Sequence, residues 1–283
     1  MAYLKSEELQ AFKALARMLY FSNDTIKHFL ENATAGQITA VGDMIKFELS
    51  VRDARKIERL MRKAKFPQIK TFEGYDYSQI SFPEGYSKDD LESLEFVNAA
   101  QDFVFYGQTG RGKTHLAIAV GIRCVQSGKI ARFFTAADLV MALERAKREN
   151  TLEALLKDIA KSDLIIIDEL GYVPLSQESA RLLFQVMSEC YEKRSLVITT
   201  NIEFSKWGVV FGDDKLASAI IDRIMHHGRL VEFGGASKRM ETHLCLVNLG
   251  NRKRGRHAKR RKCRNHNADF VGESLTIHST GLT

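Results

Sequence analysis

Cysteine is scarce in this chain of 283 residues, with only Cys124, Cys190, Cys245 and Cys263, widely scattered. Two of them fall in segments with helical patterning, so a disulfide framework is excluded and reduced thiols are expected. No apolar run approaches the roughly 18 residues needed to cross a bilayer. The first residues, Met1-Ala2-Tyr3-Leu4-Lys5-Ser6-Glu7-Glu8, lack the apolar centre of a secretory leader. A soluble, cytoplasmic protein with no membrane partner is expected. Proline is rarer still. Of three in all, Pro67 and Pro83 lie with Gly74, Gly85 and several aromatics in residues 66 to 90, which read as a connector. No internal repeat is visible. What is present is apolar content, 45% of the chain, enough for a sizeable core in one large and one smaller domain.

The formal charge is +7, but its distribution says more than its sum. From Asn251 to His266 there are nine basic residues and no acidic one, and the remainder is nearly neutral. Any polyanion-binding surface in the body must therefore come from local clusters. One runs through Arg52, Arg55, Lys56, Arg59, Arg62, Lys63 and Lys65, opposed only by Asp53 and Glu58. A second comprises Arg145, Lys147, Arg148, Lys157 and Lys161. Both are candidates for neutralising phosphates of a polyanionic partner.

Residues 5 to 65 read as helical, with Leu9, Phe12, Leu15 and Leu19 at helical spacing. Ser50-Val51-Arg52-Asp53 resembles a capping box opening the basic helix, and Ser87-Lys88-Asp89-Asp90 resembles another. Beyond residue 100, strand-like and helix-like segments alternate. Strands are predicted at 103 to 106, 131 to 135, 164 to 167, 196 to 199 and 230 to 233. Helices are predicted after Lys113, within 137 to 160, at 180 to 190 and at 217 to 226. This pattern predicts an α/β fold, a parallel sheet flanked by helices, whose ligands bind beyond the carboxyl ends of the strands.

The most specific signal is Gly107-Gln108-Thr109-Gly110-Arg111-Gly112-Lys113-Thr114, which fits G-x-x-x-x-G-K-[ST] between an apolar strand and a helix starting near His115. Glycines permit backbone N–H groups to converge on phosphate, and the helix presents its positive end to the same anion. Lys113 is suited to the outer phosphates and Thr114 to Mg²⁺. Leu164-Ile165-Ile166-Ile167-Asp168-Glu169 supplies the complementary half: Asp168 for Mg²⁺ and Glu169 to polarise a water. Leu196-Val197-Ile198-Thr199-Thr200-Asn201 ends in Asn201, suited to hydrogen-bond that water or the γ-phosphate of a nucleoside triphosphate. His243-x-Cys245 and Cys263-x-x-His266 fit no familiar zinc spacing, and His226-His227 reads as a helix end rather than a metal site.

Together with Lys70-Thr71-Phe72-Glu73-Gly74-Tyr75-Asp76, Thr135-Ala136-Ala137-Asp138-Leu139-Val140, Asp168-Glu169-Leu170-Gly171-Tyr172, Phe204-Ser205-Lys206-Trp207-Gly208 and Asp222-Arg223-Ile224-Met225-His226-His227, these motifs resemble an AAA+ P-loop ATPase of the DnaC/IstB branch. The resemblance is strongest to the IstB-type helper ATPases of two-gene insertion sequences. It implies a small helical N-terminal domain over residues 1 to 69 and an ATPase domain over 70 to 240; after Met240 the family pattern and any clear periodicity are lost, so residues 241 to 283 are expected to form a basic, disordered tail. It further implies Mg-dependent ATP hydrolysis, assembly of copies on double-stranded DNA with ATP between neighbours, and a partner transposase. Arg223 is implied as an arginine finger reaching the adjacent subunit's ATP, Arg239 as a sensor arginine, and Tyr75 as part of the adenine pocket. A DnaC-type replicative helicase loader shares nearly the same core motifs, although Lys70 to Asp76 and Phe204 to Gly208 look more like the transposition helper. A DNA-binding scaffold holding ATP only as a structural ligand is a further alternative.

Overall fold

A computed structural model describes residues 6–235 and 237. Arg239, the basic block after Asn251 and the His243, Cys245, Cys263 and His266 set lie outside the described residues.

Three helices open the chain, α1 (Ser6–Met18), α2 (Asn23–Asn32) and α3 (Ala35–Ala64). The predicted start of the basic helix at Ser50 is wrong. α3 runs unbroken through that point, and the Ser50 hydroxyl donates to the Phe47 carbonyl at 2.7 Å instead of capping anything. The helix begins sixteen residues earlier at Thr34, whose side chain and that of Gln37 exchange hydrogen bonds with each other's backbone. A serine followed three residues later by an acid caps only where the preceding backbone is extended, and residues before Ser50 are already helical.

Phe12, Ala16, Ile26, Ile38 and Ile45 close a small core among these helices. The far end of α3 serves a different one, since Leu60 and Ala64 are buried with the sheet domain. The stretch 66 to 90 is also more than a connector. Phe66, Phe72, Tyr75, Tyr77, Phe82 and Tyr86 all pack on that larger core, and Ile80–Ser81 forms a two-residue strand, β1. Two short helices follow, α4 (Lys88–Ser93), capped by Ser87 and Asp90 as predicted, and α5 (Glu95–Asn98).

The predicted alternation then appears. In order come β2 (Asp102–Gly107), α6 (Lys113–Gln126), β3 (Ala131–Thr135), α7 (Ala136–Arg148), α8 (Leu152–Ile159) and β4 (Leu164–Leu170). They are followed by α9 (Gln177–Cys190), β5 (Ser195–Thr200), α10 (Trp207–Phe211), α11 (Asp214–His227) and β6 (Gly228–Phe233). The sheet order is β1-β6-β2-β5-β4-β3, parallel except where β1 adds antiparallel to β6. Parallel strands need helical crossovers, so both faces are covered and the strands read as continuous apolar runs. Phe103 and Phe105 of β2 face the core that includes α6, while Val104 between them faces the core that includes α9 and α11. With β2 central, the loops at the carboxyl ends of β2, β4 and β5 open side by side.

At the opposite end of the sheet, Asp102 begins β2 almost fully buried and accepts a 2.7 Å hydrogen bond from the Leu196 amide. Burial raises its carboxyl from 3.8 to about 7. The folded chain therefore keeps a proton that the unfolded chain has released, and the stability this contributes is present below pH 4 and lost as pH rises to 7. Asp102→Asn retains an acceptor without the titration. It is expected to flatten the decline between those limits, by up to about 4 kcal/mol, as read by urea unfolding at pH 4.5 and 7.5. A decline as steep as the parent's would rule Asp102 out as its source.

Candidate nucleotide site

The loop between β2 and α6 is shaped by its glycines at two places. Gly107 leaves the strand at φ 151° beside the Phe233 carbonyl, where any Cβ would collide. Gly112 sits at φ 95° as the residue preceding α6, with the Tyr75 hydroxyl filling the space a side chain would need. That hydroxyl donates to the Gly112 carbonyl at 3.2 Å. Burial pushes its ionisation well above the ordinary tyrosine range, so it stays a donor. Arg111 donates to the Phe233 carbonyl at 2.9 Å, and Thr109 meets the Tyr172 hydroxyl at 2.7 Å. The loop is thus moored to β6, to the segment before β1 and to the turn after β4.

Lys113 is the first residue of α6 and only 9% exposed. Its ammonium donates to the carbonyls of Gly107 at 2.6 Å and Gln108 at 2.9 Å, which holds the positive charge within the curve of the loop. His115, two residues further along, lies 3.0 Å from the Thr71 carbonyl and sits tilted against Tyr75, with ring centres 5.0 Å apart. Gln108 and Thr109 remain exposed at the loop's tip.

The two carboxylates do not follow the strand, as the sequence suggested; they lie inside it. β4 continues to Leu170, and its register with β5 shifts between Ile167 and Leu170. Asp168 and Glu169 together oppose Thr199, which is a β-bulge, and Glu169 takes the left-handed φ of 60°. A bulge re-aims side chains. Asp168 turns inward and is 4% exposed, while its neighbour Glu169 is exposed.

Asp168 Oδ1 accepts two hydroxyls, from Thr114 at 2.9 Å and from Thr199 at 2.5 Å. The Thr199 oxygen in turn accepts the Glu169 amide at 2.9 Å. One side chain thus fixes both the orientation of Asp168 and the bulge that presents Glu169. Thr199 escaped the sequence reading, which passed over it for Asn201 at the strand's end. The available signal was a pair of hydroxyl residues in an otherwise apolar buried strand. Asn201 Oδ1 is buried without a hydrogen-bond partner among the described residues. A buried carbonyl oxygen in that state is suited to a water or other donor arriving with a ligand.

The donor set fits Mg²⁺, because the Thr114 hydroxyl and Asp168 carboxylate are hard oxygen groups already within 2.9 Å of each other. The loop, Lys113, Thr114, Asp168, Glu169 and Asn201 are brought to one edge of the sheet. Arg223 is not among them. It lies on α11, donates to the Ser188 hydroxyl and rests over the Phe184 ring, 4.3 Å from its centre. The basic residues of α3 are elsewhere again. Arg52, Arg55, Lys56, Arg59, Arg62 and Lys63 recur at three- and four-residue steps and are all exposed, along a stripe that adjoins the buried side carrying Leu60 and Ala64. Arg52 pairs with Glu48 and Lys63 with Asp158, while Arg145 pairs with Glu149 and Lys147 with Glu178. Arg148 is exposed at the end of α7. Such exposed pairs hold their charges weakly, leaving them able to exchange partners.

A parallel sheet of this strand order, with a glycine-rich phosphate loop after its central strand and a carboxylate facing the loop's threonine, defines a P-loop nucleotide-binding protein of the AAA+ class. The model of the IstB-like ATP binding protein family matches residues 14–245. The chain belongs to that family. It is 37% identical over 237 residues to a protein named as an ATP-binding protein of insertion sequence IS232 from Bacillus thuringiensis subsp. berliner, covering 83% of this chain and 93% of that one. It is 36% identical to those named for IS21 of Pseudomonas aeruginosa and IS5376 of Geobacillus stearothermophilus. The first match covers 69% of this chain and 73% of the relative, the second 70% and 78%.

Thr199→Val removes the hydroxyl that joins Asp168 to the Glu169 amide. Phosphate release from ATP is expected to fall about 10- to 100-fold with nucleotide affinity within a few-fold of the parent, and Thr199→Ser to recover most of the loss. Equal release by the valine variant and the parent would show that the bulge holds itself.

Proposed function

We propose that this protein is an ATP-hydrolysing regulator of DNA transposition, which assembles on target duplex DNA, remodels it and recruits or activates a partner transposase. The observation that carries the hydrolytic part is the Asp168 carboxylate joined to Thr114, with Glu169 presented beside it by the bulge. The transposition part draws on the relatives' insertion-sequence names.

In this reading the loop amides and Lys113 bind the phosphates, and Tyr75 and His115 border the base. Thr114 and Asp168 would hold Mg²⁺, which would supply screening of the triphosphate's charge. Asn201 hydrogen-bonds a water opposite the γ-phosphorus, and Glu169 accepts its proton as it attacks. The bond from the γ-phosphorus to the bridging oxygen breaks, and ADP departs with that electron pair. Arg223 serves a neighbour's site rather than its own, which makes turnover depend on assembly. Its contacts with Ser188 and Phe184 keep its guanidinium positioned in the separate chain. ATP would thus lie between subunits of a homo-oligomer.

Duplex DNA is assigned to the basic stripe of α3, with Arg145, Lys147 and Arg148 as a second contact. Residues 1 to 69 would act as the DNA- and partner-binding domain and 70 to 240 as the motor. No helix among the described residues is long and apolar enough to cross a membrane. Duplex DNA is expected to raise the rate of phosphate release, less so as salt increases, because phosphate contacts release counterions. The Arg55→Glu/Arg59→Glu variant should lose most of that stimulation and keep the basal rate. A rate indifferent to DNA at every salt concentration, in folded protein, would overturn the assignment.

A further inference from the structure

Away from the phosphate loop, at the opposite end of the sheet, three potential metal ligands converge from two elements. His226 and His227 are the last residues of α11, and Glu192 lies two residues beyond α9. His226 Nδ1 and His227 Nε2 are 2.9 Å apart, and His227 Nε2 is 2.9 Å from Glu192 Oε1. All three ligand atoms lie within 4.8 Å of one another.

Hydrogen bonding alone serves this arrangement incompletely. Neutral His227 has one proton for Nε2, yet that nitrogen faces both the carboxylate and the other imidazole. The Tyr191 hydroxyl also lies 2.9 Å from His226 Nδ1 and can donate its proton to that nitrogen's one in-plane lone pair. Two nitrogens and a carboxylate oxygen that crowd one point are satisfied together by a single cation. With metal bonds of 2.0–2.1 Å, ligand atoms in a tetrahedral site stand about 3.3 Å apart, so the two 2.9 Å spacings at His227 Nε2 need to open by only a few tenths of an ångström.

We propose that Glu192, His226 and His227 form a binding site for a divalent transition metal of the zinc type, separate from the Mg²⁺ of the nucleotide site. Two imidazoles with one carboxylate suit Zn²⁺, Co²⁺ or Ni²⁺, whereas Mg²⁺ takes oxygen ligands. The fourth position is left to water or to Tyr191. The ion would fasten the end of α9 to the end of α11, one helical turn beyond the contacts of Arg223 with Ser188 and Phe184. The site rests on its own geometry and stands whether or not Arg223 serves a neighbouring subunit.

The test uses the full chain, stripped of metal and titrated with Co²⁺ and then Zn²⁺. A Cys245→Ser/Cys263→Ser version removes thiolate binding outside the described residues. One equivalent of Co²⁺ should give the visible absorption of a four-coordinate ion without thiolate charge-transfer bands, and Zn²⁺ should displace it. Zn²⁺ at 100 times its Kd should raise the Tm by about 5–10 °C, reversibly with EDTA. His227→Gln and Glu192→Gln should each weaken binding at least 10-fold, and His28→Gln should leave it unchanged. Binding that survives both site substitutions would overturn the proposal. So would a six-coordinate Co²⁺ spectrum in the Cys245→Ser/Cys263→Ser version with the site intact, which decides the matter even if the site variants fail to fold.

Discussion

The acceptance of two hydroxyls by a single oxygen of Asp168 organises the structure around it. Thr114 brings the start of α6 to that oxygen and Thr199 brings β5, while Asp168 itself belongs to β4. A carboxylate buried to this degree is tolerated only when its charge is met by donors or a cation. Three elements far apart in the chain, two of them paired strands, therefore share a fixed point. The phosphate loop, the acidic strand and the strand leading to Asn201 all take their positions from it.

The sheet makes that fixed point possible. Parallel strands return by helical crossovers, so β2, β4 and β5 discharge their loops at one edge. The glycines then decide how near the loop approaches. Gly107 passes the Phe233 carbonyl and Gly112 passes Tyr75, and a side chain at either would push the loop out of register with Asp168. Arg111, Thr109 and Tyr75 hold it from three sides, so the amides are arranged by the fold before any ligand binds.

Much of this was legible in the sequence, for reasons that differ from residue to residue. The phosphate loop could be read because its chemistry demands a fixed spacing of glycine, lysine and threonine. The strands could be read because burial on both faces leaves unbroken apolar runs such as Leu164 to Ile167. The start of α3 was misplaced because a capping pattern recurs by chance inside helices, and only the extended backbone at Thr34 distinguishes the real one. The bulge at Asp168 and Glu169 was invisible, since it depends on pairing with Thr199, 30 residues away. β1 was missed because two residues carry no periodicity. Tyr172 and Thr199 act through tertiary contacts, which leave little trace in local pattern.

In the proposed reaction the bulge separates two carboxylates into two duties, Asp168 toward the loop and Glu169 toward a water. The most direct measurement compares ATP binding and phosphate release in the parent and in Glu169→Gln, which keeps the shape and the exposed position. Nucleotide affinity should stay within a few-fold while release falls at least about 100-fold, as expected for loss of a general base. Parental release by that variant, with binding intact, would contradict the account.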